Sequence, residues 1–122
     1  MAPGAKPAER AGSEQPSTAA ISVMELEGLS GAERVLVIDV RDAAEAASFR
    51  LPGAVAVPLE DFADPDVVER LLERAAGRRL VTVCPVGRRS AAAARVLRAA
   101  GADDAVHLEG GLRAWLARAG ER

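Results

Sequence analysis

The chain has 122 residues, enough for one domain with one core and too few for two. Apolar residues make up 49% of it, yet Phe49, Phe62 and Trp115 are its only aromatics, so the core must be built from Val, Leu, Ile and Ala. A formal net charge of -2 lacks the basic balance of a nucleic-acid binder, no stretch approaches the ~20 apolar residues of a membrane span, and the single cysteine, Cys84, excludes an internal disulfide and a cysteine-rich metal site.

No metal or cofactor is expected, and neither nucleic acid nor membrane is expected as a partner. A lone thiol suits a reducing compartment, and the N-terminus lacks the apolar run of a signal peptide, so the expected location is cytoplasmic.

Residues 1 to 20 hold no Val, Leu, Ile or aromatic residue and carry Pro3, Pro7 and Pro16. Such a segment cannot bury enough surface to offset its ordering entropy, which predicts a disordered tail before a domain over 21–122. Ser22 and Glu25 have the spacing of a capping box, predicting a helix over Val23–Leu29. Val35–Val40 is a continuous, β-branched apolar run, the pattern of a strand buried on both faces. Residues 42–49 read as a short Ala-rich helix, Pro52-Gly53 as a turn, and Ala54–Val57 as a strand stopped by Pro58.

Asp64-Pro65 is a cap followed by proline at the first helical position, starting a helix that runs to about Ala76, with Gly77 after its end. Leu80–Val83 is the next strand and delivers Cys84 at its end. Ser90 is expected to cap a helix over Ala91–Ala100, with Ala93, Val96, Leu97 and Ala100 as its apolar stripe and Gly101 as its stop. Ala105–Leu108 is the last strand. Gly110-Gly111 leads into a helix whose stripe is Leu112, Trp115, Leu116 and Ala119. Strands and helices alternate, which predicts an α/β domain with a mainly parallel sheet covered on both faces by helices. Ligands bind such sheets beyond the carboxyl ends of the strands, where Cys84 stands.

The chemistry is concentrated in Cys84-Pro85-Val86-Gly87-Arg88-Arg89-Ser90. A loop between a strand and a helix can wrap the cysteine sulfur and point successive N–H groups at it, a nest that binds anions. The helix adds its positive N-terminal end. Proline has no N–H, so Val86, Gly87, Arg88, Arg89 and Ser90 are the available donors. A free thiol is only ~3% thiolate at pH 7, and a helix N-terminus contributes roughly 0.3–1 kcal/mol toward ionising it. Nearby arginines add to that, so Cys84 is expected to be a nucleophile able to hold an anionic sulfur group. A lone cysteine at a strand end is more often a small buried hydrophobe; glycine, two arginines and a helix start within six residues shift the balance toward function.

Cys84-x-x-Gly87-x-Arg89-Ser90 resembles the active-site loop of the single-domain rhodanese homologues of bacteria. The similarity extends over most of residues 21–119. Asp39-Val40-Arg41 resembles that family's Asp-Val-Arg signature, Glu45 falls where the family often has Glu, and Leu51-Pro52-Gly53-Ala54 is similar to its Ile-Pro-Gly-Ala turn. Leu108-Glu109-Gly110-Gly111 with Trp115 is similar to its C-terminal segment. The resemblance implies a rhodanese-like five-stranded fold and a sulfurtransferase that moves sulfur from a small anionic donor such as thiosulfate to cyanide or a thiol through a Cys84 persulfide. It assigns Arg89 to the donor and leaves Arg88 at a variable position.

The chain departs from the family at Phe49-Arg50, where Gly-His is common, at Ala46, where an aromatic is frequent, and at the apolar pair Pro85-Val86. Asp39 and Arg41 are expected to hold loops together, and Glu45 to pair with Arg41 or Arg50 or to face solvent. His107 reads as a strand residue and Trp115 as a core anchor. Two other functions compete: a non-catalytic sulfur carrier or binding module, and a phosphatase or arsenate reductase of related architecture. The latter enzymes place five residues between cysteine and arginine, where this chain has four.

Overall fold

A computed structural model describes residues 19–29 and 34–120. The elements in chain order are β1 (Ala20–Ile21), α1 (Val23–Gly28), β2 (Val35–Asp39), α2 (Ala43–Ser48), β3 (Val55–Ala56), a 3-10 helix (Leu59–Ala63), α3 (Pro65–Ala75), β4 (Arg79–Val83), α4 (Arg88–Ala99), β5 (Val106–Leu108) and α5 (Gly111–Gly120). The five strands form one sheet in the order β1-β5-β4-β2-β3, and every pairing is parallel. The expected α/β architecture is therefore present, with a wholly parallel sheet.

Side-chain alternation along the strands divides the core in two. Leu36 and Ile38 of β2, Val40 just beyond it, Leu80 of β4 and Cys84 face Phe62, Leu71 of α3 and Leu97 of α4. Val35, Val81, Val83, Val106 and Leu108 face Val23 of α1 and Leu112 of α5. Helices thus cover both faces, as parallel strands require. Because all strands run the same way, their carboxyl ends share one edge, and Cys84 lies there beside Val40, whose N–H donates to the Val83 carbonyl at 2.9 Å.

Local chemistry sets the element starts. Ser22 and Glu25 form the capping box of α1. Asp42 and Glu45 form a second one on α2, a spacing equally present in the sequence. Asp64 caps α3 with Pro65 in its first turn.

Several expectations need revision. Ala19 and Ala20 belong to the sheet: the Ala19 carbonyl accepts from His107 N–H, and Ala20 is in register with His107. Backbone pairing recruits them without any large side chain. The rest of the expected tail, residues 1–18, lies outside the described residues. The strand expected over Ala54–Val57 is regular only at Val55–Ala56, in register with Ile38 and Asp39, and beyond it the Val57 N–H still donates to the Asp39 carbonyl at 2.9 Å. In α4 the buried positions are Ser90, Ala93, Ala94 and Leu97, while Val96 and Ala100 are exposed. In α5, Leu112 is buried, Trp115 is partly buried, and Leu116 and Ala119 are exposed.

Candidate active site

Cys84 follows β4 directly, and α4 begins four residues later. The expected cap at Ser90 is replaced by Gly87, which adopts a left-handed conformation with φ 106° and whose carbonyl accepts the Ala91 N–H at 3.0 Å. Helix α4 therefore starts at Arg88, and Ser90 is inside its first turn. From there Ser90 turns inward rather than capping: its hydroxyl donates to the Gly87 carbonyl at 3.2 Å and accepts from the Cys84 thiol at 3.3 Å. Thr82 of β4 holds this turn down by donating to the Ser90 carbonyl at 2.7 Å.

The sulfur sits in a ring of donors. Gly87 N–H reaches Cys84 Sγ at 3.1 Å and Ser90 N–H reaches it at 3.3 Å. Cys84 is wholly buried. Burial pushes the thiol up; against it act, in falling order, the Ser90 hydroxyl, the Ser90 N–H, the Gly87 N–H and the Val86 N–H. The donors prevail, and the Cys84 thiol lies below its ordinary value. A ring that favours charge on sulfur suits a thiolate, and also an anionic sulfur bonded to it.

The carbonyls of the same loop point the other way. Leu112 N–H donates to the Cys84 carbonyl at 2.8 Å, and Arg113 N–H donates to the Pro85 carbonyl at 3.0 Å. Both donors belong to the first turn of α5, whose N–H groups have no partner within the helix.

Arginines frame the loop. Arg41 is buried and bound to Asp39 through Nε at 3.0 Å and a terminal nitrogen at 2.7 Å. It also donates to the Glu45 carbonyl at 3.1 Å and to the Phe49 carbonyl. This buried pair stitches the end of β2 to α2, so removing either partner would strand a charge. Arg89 meets Glu45 in a two-pronged ion pair at 2.8 and 3.0 Å, joining α4 to α2. That pair, first of all, lowers the Glu45 carboxyl to about 2. Glu45 raises Arg89, and the Cys84 charge raises it further, so the guanidinium is close enough to feel the sulfur.

The family model for the rhodanese-like domain matches residues 22–118. The chain belongs to the rhodanese-like family. Its rhodanese-like domain is 34% identical over 87 residues to the probable adenylyltransferase/sulfurtransferase MoeZ of Mycobacterium tuberculosis, covering 71% of this chain and 21% of that protein. Among solved structures it is similar to the human single-domain sulfurtransferase TSTD1, with 28% identity, a TM-score of 0.66, and coverage of 81% of this chain and 96% of that one. It is also similar to RPA3614 of Rhodopseudomonas palustris CGA009, a protein of unknown function named as a possible tyrosine phosphatase, with 26% identity, a TM-score of 0.71, and coverage of 82% and 80%. The chain spans between 21% and 48% of the length of the first curated relatives it matches.

Within the rhodanese-like loop, the Gly87 and Ser90 N–H groups reach the Cys84 sulfur and the Val86 N–H adds a weaker downward pull on the thiol, whereas Arg88 and Arg89 begin the helix and direct their side chains elsewhere. Arg88 is exposed, and Arg89 turns to Glu45. Glu45 was expected opposite Arg41 or Arg50. It gives Arg41 its main-chain carbonyl, while its carboxylate accepts from Arg89 and from the Asp42 N–H. Arg50 is exposed past the end of α2 and lines a small depression with Asp39, Ala46 and Ala54. Phe49 is exposed, and its ring lies beside that of Trp115 on α5 with centroids 6.4 Å apart. His107 is in β5 as expected; burial pushes its imidazole down, and its Nδ1 has no hydrogen-bond partner among the described residues. Gly111, Leu112 and Arg113 were not expected to touch the loop. The double glycine was the available signal, since neither of the pair has room for a side chain.

Proposed function

We propose that this chain is a sulfurtransferase that carries sulfane sulfur as a persulfide on Cys84. The observation that carries the reading is the ring around Sγ, in which Gly87 N–H, Ser90 N–H and the Ser90 hydroxyl favour charge on a sulfur that burial would neutralise. The relatives named as sulfurtransferases support it.

In the first half-reaction the Cys84 thiolate attacks the outer sulfur of thiosulfate. The new S–S bond forms as the S–S bond of the donor breaks, and sulfite leaves with the electron pair. In the second, cyanide or a cellular thiol attacks the outer sulfur of the persulfide, and Cys84 leaves as thiolate. The backbone donors serve both states, because charge stays on sulfur throughout. Arg89 contributes its charge from the side, since both of its terminal nitrogens are engaged by Glu45.

That engagement bears on the phosphatase reading. A phosphoryl group presents three oxygens that need donors, and each left unmet in a partly buried site costs ~1–3 kcal/mol. Arg89 is turned away, Pro85 has no N–H, and only four residues separate Cys84 from Arg89. One observation favours a non-catalytic carrier or binding module instead: Cys84 is 0% exposed, so the loop must part before a donor reaches it. Steady-state turnover separates the readings. The expected result is thiocyanate formation from thiosulfate and cyanide with ping-pong kinetics, abolished in Cys84→Ser, and no Cys84-dependent hydrolysis of p-nitrophenyl phosphate. Aryl phosphate hydrolysis with inert thiosulfate would replace the assignment, and inertness toward both would leave the binding module.

A further inference from the structure

Cys84 and Pro85 lie against the start of α5 at distances that admit no side chain. A Cβ on Gly111 would stand 2.2 Å from the Cys84 carbonyl oxygen and 2.7 Å from the carbonyl carbon and oxygen of Pro85. Gly111 also has φ +63°, which strains any other L residue. The bare position lets the N–H groups of Leu112 and Arg113 reach the two loop carbonyls. Peptide planarity then has a consequence. In a trans peptide the carbonyl and the following N–H point in opposite directions. Holding the Pro85 carbonyl toward α5 therefore turns the Val86 N–H away from α5, to the side of the loop where Sγ lies.

We propose that the first turn of α5 is a positioning element for the sulfur ring: Gly111 provides the close approach, and the Arg113 N–H, by fixing the Pro85 carbonyl, aims the Val86 N–H at Cys84. Proline at 85 makes this contact count for more, because the preceding peptide has no N–H to offer. The pull of the Val86 N–H on the thiol fits this arrangement. The role extends the reading of Cys84 as the sulfur-carrying thiolate and rests on it for its purpose, but its test does not use sulfur transfer.

The test is a pH titration of thiolate ultraviolet absorbance on the full chain. Arg113→Pro deletes the donor at a place where the helix makes no use of it, the first intrahelical bond being Ala114 N–H to the Gly110 carbonyl at 3.2 Å. Arg113→Ala keeps the N–H and removes only the guanidinium, so it sets the baseline. The expected result is a midpoint for Arg113→Pro above that of Arg113→Ala, with reaction toward a small alkylating agent at pH 7 slower by about twofold to tenfold, the range of one hydrogen bond. Coincident midpoints in two folded variants would overturn the inference. On the native chain, the Val86 amide proton resonance should move with the thiol titration, and a Val86 amide blind to it would overturn the inference without any variant. Absent sulfur transfer with both results intact would sink the proposed function alone.

Discussion

Ser90 stands in the first turn of α4 with its hydroxyl turned inward to the Cys84 sulfur and the Gly87 carbonyl. A serine before an Ala-rich run is a helix cap by local preference. Here its hydroxyl has better partners in the sulfur and the Gly87 carbonyl, and tertiary contact overrides the local rule. A hydroxyl beside a thiolate can turn its proton to the sulfur, and a hydrogen bond to a charged group is worth roughly 1.5–3 kcal/mol. Ser90→Ala keeps the N–H and loses that proton. The sign follows: the Cys84 thiol is held below its ordinary value with the Ser90 hydroxyl as the largest downward pull, so removing it raises the thiol and empties the thiolate at neutral pH. Sulfur acceptance from thiosulfate should fall about tenfold or more at pH 7, and the deficit should shrink as the pH rises past the ordinary thiol range, where both proteins are ionised. A pH-independent deficit would assign Ser90 to packing instead. The Gly87 N–H at the sulfur was legible because a nest needs consecutive residues; the Arg89–Glu45 partnership was not, because its members are 44 residues apart.

Between elements, that ion pair is the tie that sets α2 against the start of α4. Glu45 also completes the α2 capping box by accepting the Asp42 N–H at 3.0 Å, and glutamine can do the same, so Glu45→Gln removes charge while leaving the cap. The Glu45 carboxyl is lowered from 4.5 to about 2 in the folded chain. A carboxyl depressed on folding stabilises the fold fully above its unfolded value and ceases to do so as the pH falls through its folded one. Thermal melts should therefore show Glu45→Gln less stable than the native chain at neutral pH, with the gap closing between about pH 4.5 and 2. A gap that persists unchanged to pH 2 would mean that the pair contributes no charge-dependent stability. Elements with strong internal signals were legible at this scale: α1 and α3 from their caps, and β2 and β4 from apolar runs buried on both faces. The paired edge at Ala20–Ile21 and the short 3-10 helix at Leu59–Ala63 were not, because pairing with β5 imposes the first from outside and the second has no side-chain cap to announce it.

For the molecule as a whole, alternation of strands and helices announced the α/β class, and the strand order β1-β5-β4-β2-β3 did not follow from it, since register depends on contacts far apart in the chain. That order places β4 in the middle, between β5 and β2, so the sulfur loop leaves the centre of the sheet with α4 ahead of it and α5 behind it. Two helix starts act on one loop: α4 brings N–H groups to the sulfur, and α5 takes up the loop carbonyls. Among the described residues no helix is long and apolar enough to cross a membrane. The central claim is that this arrangement makes Cys84 a sulfur carrier, and intact-mass spectrometry after treatment with thiosulfate tests it most directly. The native chain should gain the mass of one sulfur atom, lose it again on addition of cyanide, and show no gain in Cys84→Ser; a native chain that stays at its original mass, or a gain that persists in Cys84→Ser, would contradict the account.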